Sequence, residues 1–535
     1  MLLRALLASL LCAAPAAAQG AARYDLLIAG GTVVDGTGAP GYRADVAIAG
    51  DRVVLVSRQP VARAAARRVL DAAGRIVAPG FIDLHAHLDP LAELPGAQSA
   101  VTQGVTTALG GPDGTSPWPL ADYLRERERQ TVGINVAYLV GHNTVRRAVL
   151  GDAARAPSAD ELARMRGMVA RAMGEGAFGV STGLRYIPGA YSTIDEVVAL
   201  SQPAADSGGI YTSHLREEGL GLLQGVGEAI EIGRRARIPI VLTHHKAVGQ
   251  AMWGKSAVTL RMVDSARRAG VDVMADVYPY TATHTGISVL IPSWALADGD
   301  TAFARRVADA GLRDSITRGI VFNILNDRGG GDLRRVQFSR VSWDRTLEGK
   351  TLADWAARRR LPPTPANGAG LVIEAQLKGG ANAIYHVLDE GDVRRILTHP
   401  QVMVASDGRL SRPADGHPHP RAYGTFPRVL ARYVRAERAL SLEAAVHKMT
   451  GMPARRLGLA DRGVLRAGAA ADVVVFDAAR VSDQATFDAP HQYATGIDAV
   501  LVNGVLAVER GRYTNSRAGR VLRRGRREGA AGAAR

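Results

Sequence analysis

From residue 158 to residue 278 the chain repeats one pattern, a helical apolar period followed by a short apolar run that ends in a polar residue. "SADELARMRGMVARAMGEG" opens on a capping box, Ser158 with Glu161, and leads into "AFGVSTG". Thr193 with Glu196 caps a second helix that leads into "GIYTSHLREEG". "LLQGVGEAIEIGRRAR" precedes "IPIVLTHHKAVG", and "AVTLRMVDSARRAG" precedes "VDVMADVYPY". The runs end near Ser181, His214, His244 and Asp276, roughly thirty residues apart, the pitch of repeated βα units. Upstream, "GFIDLHAH", "VTTALGG" and "INVAYLVGH" fit as three earlier strands, and "QVMVASDG" fits as a last one. Eight parallel strands alternating with helices predict an α/β chain built as a (β/α)8 TIM-like barrel over residues 79–459. The stretch 291–398 is too long for one βα connection and predicts an insertion between the seventh and eighth strands.

Short alternating strands punctuated by glycine turns occupy residues 22–78 and return at 460–515, which predicts one small β-sandwich domain made from both chain ends. In a (β/α)8 barrel the chemistry gathers where the strands end. The polar residues there are His85 and His87 on the first strand, His142 on the third, His214 on the fifth, His244 on the sixth and Asp407 on the eighth. His85 and His87 stand at i and i+2, so both imidazoles leave a strand on the same side. One such histidine is ordinarily just hydrogen-bonded; several on the same rim predict a metal site. Of the adjacent pair, His244 is the expected ligand, because His245 would point to the opposite face.

Composition narrows the class. "MLLRALLASLLCAAPAAAQG" has the layout of a secretory signal peptide (1–18), with cleavage near Ala18 and export to a periplasm or medium. The single cysteine, Cys12, lies inside that leader. A mature chain then has no thiolate ligand, disulfide or cysteine nucleophile, which suits an oxidising compartment. No later apolar stretch is long enough to predict stable membrane insertion. The formal charge of +15 is mostly arginine spread along the chain, so it does not point to nucleic acid. The one dense run closes the chain, and residues 516–535 read as a basic, disordered tail.

Taken together, "GFIDLHAH", "GVTT", "STGLRYIPGAYS", "YTSHLREEG", "THHKAVG", "DVYPYTA", "ASDG" and "HPHPRAYGTFPRVL" resemble the amidohydrolase superfamily, in its D-aminoacylase type. Members are N-acyl-D-amino-acid deacylases, with related dipeptidases acting on a C-terminal D-residue. The resemblance implies that His85, His87 and Asp407 border one metal position, and His214 and His244 the other. It implies zinc, one or two ions, as the cofactor, which imidazole and carboxylate ligands suit. It also implies an anionic small-molecule amide substrate, whose free carboxylate is held by Lys246, Tyr186, Tyr278 and Arg421, with His142 as a further candidate for substrate contact. A metal acidifies water and polarises an amide carbonyl. Asp407 would move the proton to the leaving amine.

Two stretches depart from the family. After "GVTT" D-aminoacylases usually read Gly-Asn-Cys-Gly; here "GGPDG" puts Asp113 in the cysteine's place. A carboxylate can set one oxygen on each of two ions, so Asp113 is expected to bridge them. The family's "YPYxAGST" appears as "YPYTATHTG", which puts His284 where a serine would contact substrate. With that change near the specificity pocket, a D-residue-containing dipeptide stays open beside an N-acyl-D-amino acid. A cyclic-amide hydrolase would carry a lysine on the fourth strand, and "AFGVSTG" has none. A deaminase fits poorly with Lys246 and Arg421, and a non-catalytic binding protein would have lost the histidines.

Overall fold

The computed structural model describes residues 23–525. The expected signal peptide lies outside the described residues. Eight parallel strands stand in sequence order: Phe81–Asp83, Val105–Gly110, Asn135–Tyr138 with Val140–Gly141, Gly179–Gly183, Ile210–His214, Ile240–Leu242, Val273–Val277 and Val402–Val404. They are the eight read from the sequence. Helices such as Leu120–Gln130, Ala159–Gly174, Ile194–Asp206, Leu222–Ala236, Ser256–Arg268 and Glu390–Thr398 return the chain from one strand to the next. Ser158 and Glu161 form the full capping box, and Thr193 accepts from the Glu196 N–H.

Alternation along the strands explains both cores. Ile82, Leu109, Ala137, Phe178, Ile210, Val241, Met274 and Met403, one from each strand or its edge, form a buried cluster inside the barrel. Their neighbours in the strands, among them Phe81, Ala108, Val136, Tyr211, Leu242, Ala275 and Val404, face the helices in the largest core.

Strands seven and eight are hydrogen-bonded in register, but strands eight and one share no ladder. The buried carboxylate of Asp83 closes that seam. It accepts from the Ser406 N–H (2.9 Å), the Ser406 hydroxyl (2.5 Å) and the His85 N–H (3.3 Å). The Asp407 N–H then donates to the His85 carbonyl at 2.9 Å, and residues 408–409 pair with 86–87 just beyond. The seam therefore fixes two of the histidines against Asp407.

The chain ends meet in the expected small β-domain, hydrogen-bonded as one nine-stranded sheet rather than as two separate sheets. Strand Tyr24–Val33 makes this continuous by pairing with Ala66–Asp71 along its first half and Ile76–Pro79 along its second. Ile76–Pro79 in turn pairs with Val473–Phe476 from the far end of the chain.

The insertion begins earlier than its expected start at 291. Thr283–Gly286 pairs with Asn382–Tyr385, which also pairs with Val336–Arg340, so the strand carrying His284 belongs to the insertion. It also ends earlier, because Glu390–Thr398 packs on the helix Ser256–Arg268 and on the eighth strand. The insertion carries a core of its own, around Ile320, Phe338, Trp355 and Val372.

The expected disordered tail is corrected over its first half. The Val136 N–H donates to the Arg520 carbonyl, Leu522 N–H donates to the Val136 carbonyl, and the Arg520 N–H donates to the Asn135 side chain. Leu522 is 5% exposed and joins the cluster inside the barrel. Composition made this segment look unstructured, yet unpaired backbone groups beside the third strand and one leucine are enough to dock it. Residues 526–535 lie outside the described residues. Among the described residues no helix is long and apolar enough to cross a membrane. Leu522→Ala should cost about 2–5 kcal/mol, as for other buried leucines, and lower the melting temperature; an unchanged melting curve would mean that the tail does not close the barrel.

Candidate metal centre

The strands deliver their polar residues to one rim. His214 ends the fifth strand and shares its inward face with Ile210. His244 lies two residues beyond the sixth strand, where the chain bends at φ +37°. Asp276 on the seventh strand holds that bend by accepting the His244 N–H at 2.6 Å, and its carbonyl accepts the His245 N–H at 2.7 Å. His245 consequently turns away and meets Thr259 Oγ1 at 2.7 Å. Asp113 and Asp407 also sit at positive φ, +54° and +49°. Left-handed backbone at non-glycine residues is uncommon and costs on the order of 1–3 kcal/mol. Three of the six expected ligands adopt it.

The side chains converge on Asp113. Its Oδ2 lies 3.4 Å from His85 Nε2, 3.6 Å from His87 Nε2 and 3.7 Å from His214 Nδ1, and its Oδ1 lies 3.4 Å from His244 Nε2. Asp407 Oδ1 is 3.1 Å from His87 Nε2 and 3.5 Å from His85 Nε2. His214 Nδ1 and His244 Nε2 approach to 2.7 Å. These contacts define two donor groups: His85, His87, Asp113 and Asp407 in one, Asp113, His214 and His244 in the other. Asp113 belongs to both, the position a bridging ligand needs.

The donor set fits a metal ion. His85 Nε2 and Asp113 Oδ1 are buried and have no hydrogen-bond partner among the described residues. Buried polar atoms ordinarily have partners, and a cation between these groups would supply them. Burial works against the charge of Asp113, but His85, His244 and His214 hold its carboxyl well below the usual range. Burial likewise opposes the charge of Asp407, but Arg421, His244 and His85 hold it low. Both are anions at neutral pH, as oxygen ligands of zinc must be.

A cavity of about 740 Å3 opens over this cluster and is lined by Tyr186, Lys246, Tyr278, His284 and Arg421. Tyr278 Oη is buried without a hydrogen-bond partner among the described residues, and its ring is approached by two cations. Arg421 is 4.7 Å from the ring centroid and Lys246 Nζ 5.8 Å. Arg421 Nη1 contacts Asp407 Oδ2 at 2.8 Å without the alignment of a hydrogen bond. Tyr186 stands apart from this trio: its ring packs on His214, 4.5 Å between centroids, and its hydroxyl accepts from Thr285. His284 Nε2 meets Ser339 Oγ at 2.7 Å. Burial, then Arg421, pushes its pKa down to about 3, so it is a neutral imidazole.

His142 does not reach the cavity. Because a helix starts at His142 itself, its ring turns into the packing behind the rim, with Nε2 2.9 Å from Glu196 Oε1. Glu196 also takes Arg146 at 2.5 Å, so this is a buried structural network. Among the cavity residues that sequence reasoning missed are Glu218 and Arg328. Glu218 accepts from Lys246 Nζ at 2.5 Å, and Arg328 comes from the insertion. The first had a readable signal, since Glu218 stands four residues after His214.

Known proteins bear on the same arrangement. The family model described as "Amidohydrolase family" matches residues 68–314 and 330–508. An N-acyl-D-glutamate deacylase of Alcaligenes xylosoxydans xylosoxydans is 42% identical over 94% of this chain and 97% of its own. A D-aminoacylase of the same organism is 39% identical over 94% and 98%. The solved structure of an N-acyl-D-glutamate deacylase from Bordetella bronchiseptica, complexed with zinc and a phosphonate mimic of the tetrahedral intermediate, matches with a TM-score of 0.80 and 36% identity. That match covers 94% of this chain and all of the other. A D-aminoacylase structure described by its binuclear metal centre matches to the same extent. By sequence and by fold, this chain belongs to the amidohydrolase family, among relatives of the D-aminoacylase type.

Proposed function

We propose that the chain is a zinc-dependent hydrolase of N-acyl-D-amino acids. The observation that carries this reading is the shared position of Asp113 between two histidine groups, at the floor of a cavity where Lys246, Tyr278 and Arg421 converge. His85, His87, Asp113 and Asp407 would hold one ion and Asp113, His214 and His244 a second. Zinc held there supplies Lewis acidity, which acidifies water and polarises an amide carbonyl.

The protein's own groups supply the rest. Lys246 and Arg421 flank the Tyr278 ring and present two cations to one substrate carboxylate, with the unpaired Tyr278 hydroxyl as a third donor. That carboxylate anchors the substrate so that its amide lies over the histidines. Asp407 accepts the proton released as water attacks the carbonyl carbon and passes it to the departing amine. A substrate carboxylate competes with Asp407 for Arg421, so binding frees the Asp407 oxygen that Arg421 contacts at 2.8 Å. N-acyl-D-glutamate and N-acyl-D-aspartate deacylases among the relatives support an acylated D-residue as substrate. Export, with cleavage near Ala18, belongs to the same proposal and rests on the leader-like residues 1–18.

A panel of N-acetyl-D- and N-acetyl-L-amino acids tests the substrate class. The purified, zinc-loaded chain should turn over D-substrates. Capping the free carboxylate as an amide should lower kcat/KM by about 1.5–3 kcal/mol, the scale of a hydrogen bond to a charged group. Equal turnover of L-substrates, or of capped and free substrates, would contradict the reading. In the Asp407→Asn protein kcat should fall by roughly 10²–10⁴-fold while zinc stays bound; near-wild-type kcat would remove Asp407 from the proton-transfer role.

A further inference from the structure

An imidazole offers a lone pair to a metal from one nitrogen only when the other carries the proton, and a neighbour outside the site decides which. In the pair His214 and His244, the nitrogens facing Asp113 are His214 Nδ1 and His244 Nε2. Their outer nitrogens both face one side chain. His244 Nδ1 lies 3.3 Å from Glu218 Oε1, and His214 Nε2, buried with no hydrogen-bond partner among the described residues, lies 3.7 Å from Glu218 Oε2. Glu218 is itself 4% exposed.

We propose that Glu218 is the positioning residue of this half of the metal centre, holding the outer N–H of His214 with one carboxylate oxygen and that of His244 with the other. A competing contact gives it that task. Lys246 Nζ sits 2.7 Å from His244 Nδ1 and has only protons to give. That hydrogen bond, with Lys246 as donor, leaves the proton of His244 on Nε2, the nitrogen that must face the metal, unless Glu218 holds it at Nδ1. Glu218 opposes this in two ways. It accepts from Lys246 Nζ at 2.5 Å, and it offers His244 Nδ1 an acceptor. Arg328 Nη2, 3.5 Å from Oε2, adds a second cation behind it.

The inference rests on the metal-centre reading and is independent of which amide is cleaved. It is tested by zinc affinity, measured by chelator competition, in Glu218→Gln, Lys246→Met and the double variant. Glutamine keeps the shape but has one accepting oxygen, so it serves only one of the two outer nitrogens. At least one zinc dissociation constant should rise about 10–100-fold, the usual effect of losing a ligand's outer partner. The same loss should appear in the double variant, where no buried lysine is left uncompensated. Lys246→Met alone should not weaken zinc binding, because Lys246 can only favour the non-ligating tautomer. Zinc affinity of Glu218→Gln within twofold of wild type would overturn the proposal. So would a loss that disappears when Lys246 is also removed, which would make Glu218 only the lysine's counter-ion. Wild-type protein that took up no zinc would instead overturn the metal centre itself.

Discussion

The buried carboxylate of Asp113 is the interaction around which the site is organised. An anion taken out of water needs compensating charge or strong donors close by. Here they come from four imidazoles on the first, fifth and sixth strands, within 3.4–3.7 Å of its two oxygens. A parallel barrel meets that demand because every strand ends on the same rim. The seam between strands eight and one has no ladder, so Asp83 fixes His85 against Ser406 and Asp407 there. Strained backbone at Asp113, His244 and Asp407 is retained where three ligands must turn inward from loop ends.

The same rim separates chemistry from recognition. The candidate metal ligands come from the strand ends and the loops that directly follow them. The cavity wall draws on the insertion, through Thr283, His284 and Arg328, and on Arg421 beyond the eighth strand. The neutral ring of His284 is tied to Ser339 of the next insertion strand. Specificity can therefore change within a segment that carries its own core without disturbing the barrel.

Much of this was legible in the sequence because it is local. Each strand announces itself by apolar alternation, each helix by its period and cap, and His85, His87, His214, His244 and Asp407 by standing at strand ends. Asp113 was singled out by the resemblance to D-aminoacylases, in which it takes the cysteine's place. What was not legible depends on contacts between distant segments. Glu218 looks like one of two glutamates in a loop until Lys246 and two histidines close on it. His142 looked like its fellow strand-end histidines, but a helix that starts on it carries its ring away from the rim. The arginine-rich tail shows no pattern of its own; residues 516–525 are placed by the edge of the third strand and by Leu522, which joins the cluster inside the barrel. The insertion's edges were misjudged because strand 283–286 finds its partner about a hundred residues later.

Anomalous diffraction at the zinc edge, on crystals of the active chain, tests the central claim most directly. The account predicts a zinc ion at about 2.0–2.2 Å from an Asp113 oxygen, shared with His85, His87 and Asp407, with His214 and His244, or with both groups. An active crystal with no anomalous peak beside Asp113, or with zinc bound only away from it, would contradict the account.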